Sequence, residues 1–261
     1  MKNCVVYKKT NLTYYSYGAE GEVLVFLHGF LENSTMWKDV IKEFSPAFRI
    51  ICIDLLGHGE SECLGYTHTM EEMAEAVNFI LESLNINNIT LIGHSMGGYV
   101  AIAFAEKFTK KINKLCLLNS TTKPDTKERR ENRVRAIKMA KTNYKALVSM
   151  SISNLFTVSN KELIEKEIIE CREEALKTSI QGYIACSEGM KIRTERSHVL
   201  KEATFPKLIM AGKRDTVLSY EDVLVECDET NTPLITLPNG HMSHIEDSKP
   251  MLKALTGFVK S

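Results

Sequence analysis

A serine hydroxyl becomes a nucleophile when the backbone holds it clear of the chain and a neighbouring base takes its proton. Ser95 lies in a segment suited to the first task, Ile89-Thr90-Leu91-Ile92-Gly93-His94-Ser95-Met96-Gly97-Gly98-Tyr99-Val100-Ala101. A short apolar, β-prone run feeds into Gly-x-Ser-x-Gly, and a helix-compatible stretch follows at once. Strand, sharp turn and helix place the serine on strained backbone, and the flanking glycines let neighbouring elements pass close to the turn. Gly-x-Ser-x-Gly alone is a weak signal, since any Gly- and Ser-rich turn produces it. The strand and helix around it give it weight.

What such a serine needs occurs elsewhere in the chain. Other apolar runs lead into Phe26-Leu27-His28-Gly29-Phe30, Gly212-Lys213-Arg214-Asp215 and Gly240-His241-Met242-Ser243-His244, so the chain order is Ser, Asp, His. With these motifs, and with Asp54-Leu55-Leu56-Gly57-His58-Gly59-Glu60-Ser61 matching a D-x-x-G-x-G-x-S turn, the chain resembles the α/β-hydrolase family over nearly its whole length. The resemblance implies an α/β fold with a mostly parallel, doubly wound sheet, Ser95 as nucleophile, Asp215 as acid and His241 as base. It further implies an oxyanion hole made by the backbone N–H groups of Phe30 and Met96. Phe30, His94 and Tyr99 are then the candidate substrate-binding residues, and no cofactor is called for.

Seven histidines compete to be the base. His241 opens a loop after the last strand-like run, directly follows a glycine, and fits the family's G-H-x-x-H-x-E pattern through Glu246. His244 is the rival, as a loop residue bonded to backbone or solvent. His28 and His58 precede glycines in tight turns, where an imidazole braces a loop, and His94 adjoins the nucleophile and could line its pocket. A metal reading would join His241 and His244, but no further ligand cluster with suitable spacing appears, so no metal is expected. Asp54, at the head of a Gly-rich turn, suits acceptance of loop N–H bonds better than catalysis. Some members of the family place the acid one strand earlier, but the run before Asn119-Ser120-Thr121-Thr122 offers no carboxylate until Asp125, so that alternative is weaker than Asp215.

The rest of the chain must position these groups. With 261 residues and 44% hydrophobic content it can bury one substantial core. Zero formal net charge argues against nucleic acid and for a small-molecule substrate or an uncharged partner, and the family resemblance implies a small-molecule acyl substrate. The start lacks the apolar stretch of a signal peptide and no run is long enough to span a bilayer, so no membrane association and a cytoplasmic location are expected. The seven cysteines are scattered without metal spacing; Cys52 and Cys116 fall in apolar runs and read as reduced core residues.

Val5 to Tyr7 and Leu12 to Tyr17 read as a hairpin, followed by strands at Val23 to Leu27 and Arg49 to Ile53. Asn33 or Ser34 can cap a helix through Phe44, and Thr69 with Glu72 makes a capping box for a helix reaching Leu84. Strands at Ile89 to Ile92 and Ile112 to Leu118 flank a helix from Met96 to about Lys107. The alternation then stops. Between residues 120 and 203 the period is helical and the charge heavy, with Val134, Ile137, Tyr144, Leu147 and Val148 near helical spacing. Ser159 and Glu162 form a second capping box before Leu163, Ile164, Ile168, Ala175, Leu176 and Ile180. This stretch reads as a helical lid inserted into a core of residues 1–119 and 204–261. Strands resume at Lys207 to Ala211 and Leu234 to Leu237, and a helix from Ser248 to Val259, with Pro250 in its first turn, closes the chain.

The expected activity is hydrolysis of a carboxylic ester, thioester or lactone through an acyl-enzyme. A menaquinone-pathway lyase also resembles the chain, at Leu27-His28-Gly29-Phe30-Leu31 and Ser95-Met96-Gly97-Gly98, but that family carries arginine where Tyr99 stands. A non-catalytic binding protein on the same scaffold would be expected to have lost part of the triad.

Overall fold

A computed structural model of the chain describes residues 1–18, 21–157 and 164–261. The described residues build an eight-stranded sheet in the order β1-β2-β4-β3-β5-β6-β7-β8. Its first strands are β1 (Lys2–Tyr7), β2 (Thr10–Tyr17), β3 (Val23–Leu27) and β4 (Arg49–Ile53). Its last are β5 (Ile89–His94), β6 (Ile112–Leu118), β7 (Lys207–Gly212) and β8 (Leu234–Leu237). β1 and β2 form an antiparallel hairpin, turned through Lys8 and Lys9 at positive φ, and β2 pairs antiparallel with β4. Every other pairing is parallel. The hairpin strands begin earlier than the apolar pattern predicts, because Lys2 to Cys4 pair through backbone on an exposed edge and bury little.

Alternating residues of the central strands feed two apolar layers. Val25, Leu27, Leu91, Leu115 and Ile209 pack beneath α2 (Met70–Ser83) and α3 (Met96–Lys107) with Met73, Val77, Val100 and Phe104. Leu24, Phe26, Ile50, Ile92 and Cys116 face the other way, toward Trp37 and Phe44 of the segment ending in α1 (Lys38–Phe44) and toward Met251 and Leu255 near the C-terminus. Helices on both faces explain why these strands are apolar throughout. Thr69 caps α2 by accepting from the Glu72 N–H, as the capping box predicts. Of the two candidates before Phe44, Asn33 is the cap, and it opens a short 3₁₀ turn, Ser34–Trp37, rather than α1 itself.

Between β6 and β7 the chain makes α4 (Lys127–Ala140), α5 (Tyr144–Ser153), α6 (Glu165–Ala175), α7 (Ile180–Ile192) and α8 (Ser197–Glu202). Side chains of Thr126, Asn143 and Ser179 cap α4, α5 and α7. Leu147, Val148, Ile152, Ile168, Ala175 and Tyr183 form a separate apolar cluster, which closes on the sheet through Leu31 and Met242. Val134 and Ile180, expected from their spacing to join the apolar face, are exposed: one lies on the outer side of α4 and the other starts α7. Ser159, Glu162 and Leu163 lie outside the described residues.

After β7 come α9 (Tyr220–Thr230), α10 (Ser243–Glu246) and α11 (Ser248–Lys260). α9 is an addition to the sequence-based pattern, although Ser219 caps it by accepting from the Asp222 N–H. Among the described residues no helix is long and apolar enough to cross a membrane.

Candidate active site

Ser95 stands between β5 and α3 with φ 50° and ψ −115°, a left-handed conformation that side-chain-bearing residues avoid. The surroundings enforce it. The Ser95 N–H donates to the Leu118 carbonyl at 3.0 Å and the Ser120 hydroxyl donates to the Ser95 carbonyl at 2.7 Å. Gly93 and Gly97 allow the turn to close, since a Cβ on Gly93 would lie 2.3 Å from the Gly97 carbonyl oxygen and one on Gly97 2.3 Å from that of Leu27.

The Ser95 hydroxyl donates to His241 Nε2 at 2.9 Å, and His241 Nδ1–H donates to Asp215 Oδ2 at 2.8 Å. The backbone N–H groups of Val217 and Leu218 donate to Asp215 Oδ1 at 2.7 and 3.0 Å. Burial works against the Asp215 carboxylate, but His241 and these N–H groups outweigh it and hold the group below its ordinary range. Asn119, buried and at positive φ, donates to Asp215 Oδ2 at 3.2 Å and to the Gly240 carbonyl at 3.1 Å, so it fastens the acid to the histidine loop. No sequence motif marks Asn119; its place directly after β6, at the carboxyl end of a parallel strand, is the signal that points to it.

His244 does not reach Ser95. It is buried, and its Nε2 lies 3.8 Å from Glu32 Oε1. Burial lowers its pKa to about 4, which keeps the ring neutral. His28 Nε2 accepts from the Leu55 N–H and His58 Nε2 from the Leu31 N–H, so both rings brace loops as their Gly-flanked positions suggest. Asp54 accepts from the N–H groups of Ser34 and Glu60 and from the Ser34 hydroxyl.

His94 borders the cavity beside Ser95 but is bonded on both ring nitrogens. Its ring is 1% exposed; Nδ1 faces Glu32 Oε2 at 2.7 Å and Nε2 faces the His241 carbonyl at 2.9 Å. Glu32 Oε2 also accepts from the Gly29 N–H at 2.7 Å. Among the described residues Glu32, His94 and His244, rather than the His241–His244 pair, bring ligand-type atoms within 4.8 Å of one another. The bonds just given already engage Glu32 Oε2 and both His94 nitrogens. Glu32 carried no sequence motif, so nothing local marked it.

Phe30, His94, Tyr99 and Arg133 border, with Ser95 and His241, a cavity of about 140 Å³. Among the described residues the N–H groups of Phe30 and Met96 have no hydrogen-bond acceptor. The Arg193 guanidinium covers the Tyr99 ring at 4.0 Å from its centroid. Asp125 holds Arg193 and Arg133, each at 2.5 Å. Lys127, Arg130, Arg135, Lys138, Lys141 and Lys145 of the same basic stretch are exposed.

Phe30, Ser95, Asn119, Asp215 and His241 all follow the carboxyl ends of parallel strands, the edge where doubly wound α/β proteins bind ligands. Sheet, strained serine turn and helical insertion together define an α/β enzyme scaffold with a strand-end site. Residues 22–248 match the alpha/beta hydrolase fold family model, and the chain belongs to that family. It is similar to 3-oxoadipate enol-lactonase 2 of Acinetobacter baylyi, with 23% identity over 99% of this chain and 97% of the relative. A putative 2-succinyl-6-hydroxy-2,4-cyclohexadiene-1-carboxylate synthase of Bacillus subtilis is 28% identical over 92% of this chain and 91% of its own length. Among solved structures, a thermophilic esterase from Thermogutta terrifontis superposes with a TM-score of 0.91 at 27% identity, covering 100% of this chain and 98% of that one.

Proposed function

We propose that this hydrolase of ester bonds works through a serine acyl-enzyme, with Ser95, His241 and Asp215 as its triad and residues 120–203 as a lid over a core of residues 1–119 and 204–261. The observation that carries the reading is the bonded chain Ser95 Oγ to His241 Nε2 at 2.9 Å and His241 Nδ1 to Asp215 at 2.8 Å. The enol-lactonase and esterase names among the relatives support an ester or lactone as substrate.

In this mechanism Ser95 Oγ attacks the carbonyl carbon while His241 Nε2 takes its proton. Asp215 keeps the ring in the tautomer that accepts at Nε2 and stabilises the imidazolium that forms. The carbonyl oxygen, now an oxyanion, meets the N–H groups of Phe30 and Met96; loss of one such donor typically costs about 3 kcal/mol of barrier. Collapse breaks the bond to the alcohol oxygen, which leaves with the proton from His241, and water then repeats the sequence on the acyl-enzyme. In a lactone the released hydroxyl stays tethered to the acyl chain. A volume of about 140 Å³ has room for roughly five waters at about 30 Å³ each, which suits a short acyl group.

Fluorophosphonate labelling and a panel of esters, thioesters and lactones test the reading. Ser95→Ala should lose all labelling and about 10⁶-fold in kcat, the scale on which a triad nucleophile acts. Labelling that survives in the variant would refute it. A lyase is the second reading, favoured by the 28% identity to the Bacillus subtilis synthase. It expects labelling at Ser95 with no turnover of any ester or lactone in the panel.

A further inference from the structure

The histidine beside the nucleophile faces only oxygen. His94 Nδ1 lies 2.7 Å from Glu32 Oε2 and Nε2 lies 2.9 Å from the His241 carbonyl. A carbonyl accepts and cannot donate, so Nε2 carries a hydrogen. Glu32 Oε2 also accepts from the Gly29 N–H at 2.7 Å, and an N–H bond to a carboxyl oxygen favours its ionised form. With Glu32 as the carboxylate, Oε2 accepts both bonds and Nδ1 carries a hydrogen as well.

We infer that His94 is held as a buried imidazolium whose two N–H groups tie the turn bearing Glu32 to the loop bearing His241, making Glu32 and His94 positioning residues for the proposed reaction. This rests on the reading of Ser95, His241 and Asp215 as the triad.

Three turns meet in this knot: residues 28–32 after β3, the Ser95 elbow after β5, and residues 240–244 after β8. The approach is too close for a side chain at Gly29, where a Cβ would lie 2.3 Å from Glu32 Oε2 and 2.9 Å from His94 Nδ1. The ionisable groups around the ring are Glu32 and His28 from the first turn, His241 and His244 from the last, and Asp215 from the loop after β7. Burial opposes a charged ring, but Glu32, the His241 carbonyl and Asp215 outweigh it and raise His94 above its ordinary value. The same pairing lowers Glu32 to about 2. His244, neutral with its pKa near about 4, does not share the proton.

A neutral imidazole has one N–H and serves one of the two acceptors. When pH rises through the His94 value, either the Glu32 turn or the His241 loop is released. The Ser95–His241 alignment then loosens, which lowers kcat and leaves substrate binding nearly as it was.

Imidazole ¹⁵N NMR on histidine-labelled protein, with His94→Gln to assign the signal, reads the ring directly and does not depend on turnover. At neutral pH His94 should show two protonated nitrogens, and the signal should titrate above the ordinary histidine value. A neutral tautomer there would overturn the inference, whatever the esterase assay shows. Absence of both ester turnover and Ser95 labelling in a protein whose His94 is doubly protonated would instead count against the triad reading. Glu32→Gln should return the ring to the neutral form, lower kcat on p-nitrophenyl acetate by about 10- to 100-fold with KM little changed, and move the alkaline limb of kcat to lower pH. Glu32→Asp should restore part of the loss. A folded Glu32→Gln protein with unchanged kcat and unchanged pH profile would refute the positioning role; if that variant does not fold, the titration of His94 in the unaltered protein still decides.

Discussion

The end of β6 and the helix α4 both border the candidate site, and they are held in different ways. At the strand end, the Leu118 carbonyl, Asn119 and Ser120 reach Ser95, Asp215 and Gly240 through hydrogen bonds of 2.7 to 3.2 Å, buried or partly buried. On α4 only Arg133 borders the cavity, with its guanidinium shared with Asp125, and the helix packs inward through a few apolar residues such as Ile137 and Ala140. A strand end has few ways to move, because the sheet fixes its backbone on both sides. A helix seated on side chains can shift by a fraction of an ångström and still bury the same surface. Changes on the sheet side should therefore abolish chemistry, and changes on the helical side should alter which substrate is accepted.

The largest effect should come from the histidine pair. His241→Ala should be nearly as inactive as Ser95→Ala, about 10⁶-fold down in kcat, because triad members act as one unit. His244→Ala should keep substantial turnover, and a reversed order in steady-state assays would assign the base to His244. Asp215→Asn should cost about 10⁴-fold through the wrong tautomer of His241, while Asp125→Asn should cost far less.

Next comes the elbow itself. The Cβ of Gly93→Ala would stand 2.3 Å from the Gly97 oxygen and 2.7 Å from the Gly98 Cα, both backbone atoms with nowhere to go. A loss of about 1–3 kcal/mol in denaturant unfolding, together with loss of labelling at Ser95, is expected. Full labelling and unchanged stability would show that the turn is less constrained than the sheet side requires.

Buried neutral histidines on the sheet side should make the protein acid-sensitive well before its carboxylates titrate. Burial lowers His58 to about 3 and His68 and His244 to about 4, from 6.5. Below 6.5 the unfolded chain takes up these protons and the folded one does not, so stability falls as pH drops from 6.5 toward 4. His94 acts in the opposite sense: its raised value contributes stability below 6.5 that is lost as pH rises through the folded value. Thermal unfolding should therefore be latest near neutral pH, and His244→Asn should flatten the acid slope. A Tm independent of pH between 4 and 6.5 would contradict the buried neutral rings.

The smallest effect belongs to the helical side. Arg133→Gln should raise KM about 2- to 5-fold for an ester carrying a carboxylate and leave a neutral ester of equal size unchanged, on the scale of a partly exposed charge pair. High salt should weaken the native preference in the same way, since such charges are screened within about 8 Å. Equal responses of the two esters would mean that the basic stretch is a solvated face, as its exposed lysines and arginines already are.

Most of what places Ser95, Asp215 and His241 was legible because it is local. A strand, a glycine turn and a helix cap are written in contiguous residues, so Gly93 to Gly97, Gly212 to Asp215 and Gly240 to His244 could each be read without knowing their neighbours. Helix α9 escaped notice although Ser219 and Asp222 mark its start, because Leu224 and Val225 face solvent and blur its apolar period. The choice of His241 over His244 rested on a family pattern, and only the three-dimensional arrangement sets one ring 2.9 Å from Ser95 and buries the other beside Glu32. Glu32 had no signal of its own, and Asn119 had only its place at the end of β6. Their partners lie 62 and 96 residues away at His94 and Asp215, and contacts between distant segments are set by how strand ends converge, which hydropathy and spacing along one segment do not encode.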